Sequence, residues 1–263
     1  MTRLQIIGGG KMGEALLGGL IANGWAPATD LAVIEPDDAR RVAVATANSG
    51  VSTAAEPVAN VDAIVAVKPA IVPVVLDQLA AIGIGRVLSI AAGVTIATLE
   101  AHAGADAVVV RAMPNTPAMI GAGAAAIAPG SNAGSRDVEW AAEILSAVGE
   151  VVTVDEADLD AVTGLSGSGP AYVFLLAEAL AAAGIAQGLE PTVADRLARQ
   201  TIFGAGALLA ESDESAEQLR INVTSPNGTT AAGLAVFEQA DFRALVADVV
   251  AAATARSVEL GRA

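Results

Sequence analysis

The chain has 263 residues, of which 54% are hydrophobic, and its formal net charge is -15. The apolar content suffices for a packed core, and the negative charge argues against partners held through phosphates, such as nucleic acid or an anionic membrane. There is no cysteine and one histidine, His102, which excludes disulfides, thiolate nucleophiles and metal sites made of cysteines or several histidines. We predict no bound metal.

The chain enters a strand pattern within its first residues and lacks the apolar stretch and cleavage site of a signal peptide. We therefore expect a cytoplasmic protein. The longest apolar stretches, such as residues 112–135, are broken by prolines and glycines, so the sequence predicts no membrane span.

Up to about residue 153, short β-branched runs alternate with longer alanine-rich segments, as in successive βα units of a parallel sheet. Most runs are apolar on both faces, so helices are expected on both sides of the sheet. The predicted strands are residues 4–7, 31–34, 63–67, 87–90, 108–111, 124–128 and 151–154.

Beyond residue 155 the β-branched runs give way to Ala, Leu, Glu and Gln, which predicts helices at residues 171–184, 192–212 and 242–261. Pro170, Pro191 and Pro226 each occupy a position where a helix can begin. The sequence thus predicts an α/β Rossmann-type domain with a parallel-rich sheet at 1–154 and an all-α domain at 155–263. The wide apolar faces of the second domain predict at least a dimer.

A glycine loop follows the first predicted strand and opens a helix. Gly8, Gly9, Gly10, Lys11, Met12 and Gly13 match G-x-G-x-x-G, in which glycines permit a tight turn, approach to a pyrophosphate, and close packing of helix on strand. Without its context, the motif would be only a glycine-rich turn. The strand, helix and second strand in order favour a dinucleotide site.

Glu35 follows the second predicted strand, about twenty residues beyond the last motif glycine, where an acidic group can accept a hydrogen bond from a ribose 2′-hydroxyl. This favours NAD over NADP. Arg40 and Arg41 come soon after and are able to pair with a 2′-phosphate, so the sequence leaves the choice open.

Further motifs follow the later strands and recur in the helical half. They are Ala66-Val67-Lys68-Pro69, Ala91-Ala92-Gly93-Val94, Met113-Pro114-Asn115-Thr116-Pro117, Leu165-Ser166-Gly167-Ser168-Gly169-Pro170-Ala171-Tyr172 and Thr224-Ser225-Pro226-Asn227-Gly228-Thr229-Thr230. This ordered set, over essentially the whole chain, resembles the pyrroline-5-carboxylate reductase family.

The resemblance implies a Rossmann domain, a helical dimerisation domain, and reduction of the C=N bond of 1-pyrroline-5-carboxylate to L-proline by NADPH or NADH in a homodimer or higher oligomer. The implied cofactor residues are Gly8, Gly9, Gly10, Lys11, Met12, Gly13, Glu35, Ala66, Val67, Lys68, Pro69, Ala91, Ala92, Gly93, Asn115 and Asn222. The implied substrate residues are Glu156, Ser225, Gly228, Thr229 and Thr230. Lys68 has the alternative role of a catalytic lysine, although a strand-end Lys-Pro favours a pocket element.

The last motif suits a carboxylated cyclic imine. It predicts a turn and then a helix starting near Thr229, whose first amides, with that of Gly228, are available to a carboxylate. The Thr230 hydroxyl is then placed to hydrogen-bond the ring nitrogen, so Thr230 is the predicted catalytic residue. Taken alone, residues 224–230 are more typical of a simple helix cap, and only the motifs that occur with them reverse that preference.

Two positions depart from the family. Asn227 stands where relatives have the first of two glycines, although Asn tolerates left-handed backbone better than most residues. Many relatives carry a small polar residue in place of Glu35.

Two alternatives remain. A 3-hydroxy-acid dehydrogenase would have a similar first half, but residues 171–184 lack the lysine such enzymes use as a base. A dinucleotide-sensing scaffold would share the fold without the reaction.

Overall fold

The computed structural model describes residues 2–261, and its first architectural feature is a single sheet of eight strands in that part of the chain. The strands are β1 (Leu4–Ile7), β2 (Leu31–Ile34), β3 (Ser52–Ala54), β4 (Asp62–Val65), β5 (Val87–Ser89), β6 (Val109–Met113), β7 (Gly123–Pro129) and β8 (Gly149–Thr153). Their order is β3-β2-β1-β4-β5-β6-β7-β8, and all neighbours are parallel except β6 and β7. The predicted parallel-rich α/β fold is confirmed.

Helices flank the sheet and continue into the second half of the chain. They are α1 (Lys11–Ala22), α2 (Asp38–Ala47), α3 (Val72–Ile82), α4 (Ile96–Ala103), α5 (Ser135–Ser146), α6 (Leu159–Val162), α7 (Gly169–Ala186), α8 (Pro191–Glu211), α9 (Ala216–Asn222), α10 (Thr229–Gln239) and α11 (Phe242–Leu260). A π-helical turn, Thr163–Gly167, separates α6 from α7.

The core has two layers because successive strand residues point to opposite faces of the sheet. Leu4 and Ile6 join one cluster with apolar residues of α1 and α5, whereas Ile7 joins the other, with residues of α3 and α4. Helices therefore cover both faces, as the strand pattern predicts.

The seven predicted strands are all present, with ends within two residues of the prediction, but β3 is missing from it. This strand has three residues, pairs only with β2 among the described strands, and is exposed or half-buried throughout. A short edge strand of this kind has no apolar run to reveal it.

The three predicted long helices are confirmed as α7, α8 and α11, and Pro170 and Pro191 lie in the first turns of α7 and α8. The expectation for Pro226 is wrong. Pro226 lies in a turn in which the Gly228 amide donates to the Ser225 carbonyl (3.0 Å) and Asn227 has a φ of 60°. Proline followed by a residue of positive φ is the type II turn pattern, so the fixed φ of proline serves the turn.

The described residues form two compact units. One comprises the chain up to Ser168 together with the residues from Ala251 onward, and the other is Gly169–Val250. The sheet and its flanking helices lie in the first unit, and the second is helical. In the second unit α7 and α8 pack on each other, with Gly184 close to Ala194 and Leu189.

Against the sequence-based expectation, one helical stretch, Glu156–Ala186, is long and apolar enough to cross a membrane. The finding rests on length and composition alone, and none of its most apolar window is buried within this single chain. A helix that a second polypeptide covers passes the same test.

Candidate coenzyme and substrate site

The glycine loop has the geometry of a phosphate-binding turn. Gly8 has a φ of 109°, and a Cβ there would lie 2.6 Å from the Ala66 carbonyl oxygen. A Cβ on Gly13 would overlap the carbonyl of Gly8, whereas a Cβ on Gly10 would meet nothing within 4 Å. The turn and packing roles predicted for Gly8 and Gly13 are thus confirmed, and Gly10 borders open space.

Helix α1 begins at Lys11 with Gly10 as its N-cap, and the first intrahelical bond runs from the Glu14 amide to the Gly10 carbonyl. The amides of Lys11, Met12 and Gly13 therefore precede that bond and carry the partial positive charge of the helix start. Amides of this kind, next to a glycine that borders open space, fit a dinucleotide pyrophosphate.

Glu35 lies directly against the glycine loop. It follows β2, and its Oε2 accepts a hydrogen bond from the Gly9 amide (3.0 Å) while Oε1 accepts one from the Asp37 amide (3.1 Å). Arg40 and Arg41 are also close, but both guanidinium groups donate to backbone carbonyls, those of Gly9 and of Glu35 and Pro36 respectively. Arg41 further contacts the Asp38 carboxylate.

Two more predicted loops follow β4, the parallel neighbour of β1, and β5, the parallel neighbour of β4, at the edge of the sheet where β1 and β2 also end. After β4, the Ala66 amide donates to the Ile7 carbonyl (2.8 Å), and the exposed Lys68 caps a short turn that starts at Pro69. After β5, Ala91 and Ala92 lead to Gly93, whose φ is 75°. The structure thus brings Gly8–Gly13, Glu35, Ala66–Pro69 and Ala91–Gly93 to one edge of the sheet.

Asn115 follows β6 and is almost fully buried. Its Nδ2 donates to the Ser166 carbonyl (3.0 Å) and its Oδ1 accepts from the Ala124 amide (2.9 Å). Both ends of the amide therefore bind backbone, joining the loop after β6 to β7 and to the π-helical turn.

Glu156 belongs to a partly buried ionic cluster in the first unit. Its Oε1 accepts hydrogen bonds from Arg111 Nη1 (2.9 Å) and from the Ile96 amide at the start of α4 (2.6 Å). Oε2 has no hydrogen-bond partner in the described part of the chain. Sequence reasoning missed Arg111, although a single arginine ending an apolar strand pattern was a signal for a buried ion pair.

The substrate motif lies in the second unit, where Ser225 to Gly228 form the turn before α10. We expected the Gly228 amide to be free, which is wrong, because it closes the turn onto the Ser225 carbonyl. A Cβ on Gly228 would overlap Ser225 Oγ, so a side chain at this position would force the Ser225 hydroxyl to move.

Helix α10 starts at Thr229, as predicted, with Gly228 as an N-cap that makes no side-chain capping bond. Among the described residues, the amides of Thr229 and Thr230 have no acceptor, and the Thr230 side chain is exposed without a hydrogen-bond partner. The motif is therefore not a side-chain cap, and its donors are available to a ligand.

Asn222 is the last residue of α9, and its side-chain amide is paired within the second unit. Its Oδ1 accepts from Gln218 Nε2 and its Nδ2 donates to Glu214, both at 2.8 Å. Among residues 2–261, no group of three or more His, Asp or Glu side chains is arranged to hold a metal ion.

Two different family models match successive parts of the chain. A family model described as pyrroline-5-carboxylate reductase dimerisation matches residues 156–260, and one described as NADP oxidoreductase coenzyme F420-dependent matches residues 3–93. The pyrroline-5-carboxylate reductase of Synechocystis sp. is 45% identical over 265 aligned positions, covering 99% of this chain and 98% of that protein.

Solved structures agree. A pyrroline-5-carboxylate reductase from Coxiella burnetii matches with a TM-score of 0.92 at 35% identity over 98% of both chains. Plasmodium falciparum pyrroline carboxylate reductase with NADP bound matches with a TM-score of 0.83 at 31% identity, over 99% of this chain and 98% of that one. With a glycine loop built for a dinucleotide and a full-length likeness to these enzymes, the chain belongs to the pyrroline-5-carboxylate reductase family.

Proposed function

We propose that this chain reduces the C=N bond of 1-pyrroline-5-carboxylate to give L-proline, the last step of proline biosynthesis, with NADPH or NADH as the hydride donor. One observation carries the proposal: the alignment with a reductase of this name spans 99% of the chain at 45% identity. Because the alignment covers nearly the whole chain, it includes both the glycine loop and the start of α10.

The coenzyme half of the proposal rests on the first unit. Gly8 and Gly13 leave no room for side chains, Gly10 borders open space, and the amides of Lys11, Met12 and Gly13 lie at the start of α1. These features fit a pyrophosphate, and when bound, the reduced coenzyme supplies the hydride to the imine carbon. The further residues proposed to contact it are Gly9, Glu35, Ala66, Val67, Lys68, Pro69, Ala91, Ala92, Gly93, Asn115 and Asn222.

The substrate half of the proposal rests on the start of α10. The amides of Thr229 and Thr230 are free donors at the positive end of an 11-residue helix, which suits the ring carboxylate. The Thr230 hydroxyl then donates to, or orients a proton at, the ring nitrogen. A protonated imine is already a good hydride acceptor, so positioning supplies most of the catalysis and no histidine is needed.

Three further residues have supporting roles in this proposal. Gly228 and Ser225 shape the turn before the α10 amides, because the Gly228 amide donates to the Ser225 carbonyl. Glu156 offers one carboxylate oxygen, Oε2, that no described residue uses, while Oε1 stays with Arg111 and Ile96. That free oxygen supports its assignment as a substrate contact.

The homodimer belongs to the proposal as well. Many large apolar side chains of the second unit are exposed in the single chain, among them Phe174, Leu175 and Phe203, each at least 60% exposed. Many exposed apolar side chains in one unit are typical of a subunit interface, and the matching family model describes dimerisation. We place this surface in a cytoplasmic homodimer that binds neither nucleic acid nor membrane, and we retain 154/155 as the functional domain boundary, which the family match from residue 156 supports.

The test is steady-state turnover of 1-pyrroline-5-carboxylate by the purified chain with NADH and with NADPH in parallel. Absorbance at the reduced-nicotinamide band and the proline formed are both measured. We expect coenzyme oxidation and proline formation in a one-to-one ratio. A folded chain that forms no proline with either coenzyme would contradict the proposal. The two alternatives, a 3-hydroxy-acid dehydrogenase and a dinucleotide-sensing scaffold, would then remain.

A further inference from the structure

We infer that this chain selects NADH over NADPH, and that Glu35 is the residue that makes the selection. The inference rests on the proposed function, since it assumes that the coenzyme lies on the glycine loop, and it concerns the side chains that meet the adenosine ribose. Among relatives, a Plasmodium falciparum enzyme of this family has been solved with NADP bound, so the family alone does not predict this choice.

The position of Glu35 is the first argument. β1 and β2 pair in parallel with Ile7 opposite Ile34, so the residue after β2 lies beside the glycine loop that follows β1. The hydrogen bonds from the Gly9 and Asp37 amides, at 3.0 and 3.1 Å, use one lone pair on each carboxylate oxygen. The carboxylate is thus fixed against the loop, and each oxygen retains a lone pair to accept from a ribose hydroxyl.

The engagement of both arginines is the second argument. Arg41 donates to the carbonyls of Glu35 (2.6 Å) and Pro36 (2.8 Å) and also contacts Asp38, so its guanidinium already has three acceptors. Arg40 donates to the Gly9 carbonyl at 3.1 Å. Each guanidinium retains further N–H donors, but the Arg41 charge is already paired with the Asp38 carboxylate, and backbone carbonyls hold both side chains in place. A 2′-phosphate would therefore have to compete with these acceptors for the two positive charges.

The local charge is the third argument. Residues 35–41 contain the carboxylates of Glu35, Asp37 and Asp38 against the two guanidinium groups of Arg40 and Arg41, which leaves a net negative charge. A 2′-phosphate at the ribose would lie beside the fixed Glu35 carboxylate, and like charges at such a distance repel strongly. A 2′-hydroxyl at the same place gains a charge-assisted hydrogen bond.

The experiment measures binding without substrate, so that it does not depend on turnover. NADH and NADPH are titrated separately into the full chain, and the change in reduced-nicotinamide fluorescence gives each dissociation constant. We expect NADH to bind about tenfold or more tightly than NADPH. Equal affinities, or tighter NADPH, would overturn the inference and leave the proposed function standing. Binding of neither coenzyme would overturn both.

Two matched variants assign the effect to Glu35. Glu35→Gln keeps the shape and one acceptor oxygen but removes the charge, and we expect the NADPH-to-NADH ratio of dissociation constants to fall at least severalfold. Glu56→Gln makes the same change at an exposed residue just beyond β3, and we expect the ratio to stay within about twofold of the unaltered chain. If the ratio of dissociation constants were unchanged in folded Glu35→Gln, or changed equally in both variants, Glu35 would not be the residue that selects NADH over NADPH.

Discussion

Glu156 ties a buried arginine to the start of a helix through a single oxygen, since Oε1 lies 2.9 Å from Arg111 Nη1 and 2.6 Å from the Ile96 amide nitrogen. The Arg111 side chain is 8% exposed and that of Glu156 is 35% exposed. Removal of the carboxylate therefore leaves a buried, unpaired cation, whereas removal of the arginine leaves an anion that water reaches. The two partners of this ion pair are not equivalent for stability.

We accordingly predict that Glu156→Ala lowers the free energy of unfolding by about 2–3 kcal/mol, somewhat less than for a fully buried pair. Arg111→Met, which keeps the apolar volume, is predicted to cost less than Glu156→Ala. Urea denaturation of both variants measures the difference. Glu139→Ala, an exposed carboxylate on α5, is the control and is expected to stay within about 0.5 kcal/mol of the unaltered chain. A larger loss for Arg111→Met would contradict the argument.

Substitutions at three glycines of α1 and the loop before it distinguish effects on packing from effects on coenzyme binding. Gly13→Ala forces a methyl group onto the Gly8 carbonyl, and we expect it to lower stability by about 1–3 kcal/mol. Gly10→Ala has φ of -80° and open space around its Cβ, so its stability should hold while its coenzyme affinity falls at least severalfold. Gly18→Ala, exposed within α1, is the control and should gain about 0.5–1 kcal/mol.

Thermal unfolding and coenzyme titration of the three variants check this prediction. If Gly10→Ala bound coenzyme as well as the unaltered chain, the space beside Gly10 would not be the pyrophosphate site.

Substitutions at Asn115 test whether this motif residue contributes to the stability of the fold. Its amide binds the Ser166 carbonyl and the Ala124 amide, and the residue is 9% exposed. Asn115→Ala leaves both backbone groups without that partner, at an expected cost of about 1–3 kcal/mol. Asn115→Asp keeps the acceptor for Ala124 but turns an oxygen toward the Ser166 carbonyl, so it should not restore stability. Chemical denaturation distinguishes the variants, and full stability of Asn115→Asp would contradict the assigned amide orientation.

The sequence predicted most of the first unit because its signals are local. The β-branched runs predicted seven strands. The glycine motif predicted the turn in which Gly8 and Gly13 have no room for a Cβ. β3 was not predicted, because a strand of three residues at the edge of the sheet has no apolar pattern.

Other features depend on contacts between residues far apart in the chain. Arg111 and Glu156 are 45 residues apart, and Gly93 meets Leu260 near the end of α11. The closure of the Gly228 amide onto Ser225 was missed for a different reason: the donor was counted from the helix start alone, without the turn that precedes it. Contacts between residues far apart in the chain leave no pattern in the sequence from which they could be predicted. The same holds where a turn and a ligand compete for one amide, as at Gly228.

Asn227 adopts a left-handed backbone, with φ of 60°, at the third position of the turn before α10. Asn227→Gly should be tolerated without loss of stability or turnover, because glycine takes this conformation freely. Asn227→Ala should lower the free energy of unfolding by about 1 kcal/mol. Alanine has a Cβ that disfavours the left-handed conformation, and it lacks the local hydrogen bonding by which Asn tolerates it. Unfolding curves and the KM for the imine measure the two effects. A lower KM in Asn227→Gly would show instead that the asparagine side chain crowds the substrate.

Thr230 is the residue for which stability and catalysis should separate most cleanly. It is exposed in the first turn of α10, and its hydroxyl has no hydrogen-bond partner within residues 2–261, so Thr230→Ala removes no internal bond and places a strong helix former in a helix. We expect unchanged unfolding and unchanged coenzyme affinity, with kcat reduced about tenfold to a hundredfold because the donor to the ring nitrogen is lost. Thr230→Ser keeps the hydroxyl and should retain most of the turnover, whereas Thr230→Val keeps the shape and should behave like alanine. Steady-state kinetics with saturating coenzyme compare the three. If Thr230→Val turned over as fast as the unaltered chain, the hydroxyl would have no part in proton transfer, and the free amides of α10 would remain as the only contribution of this segment.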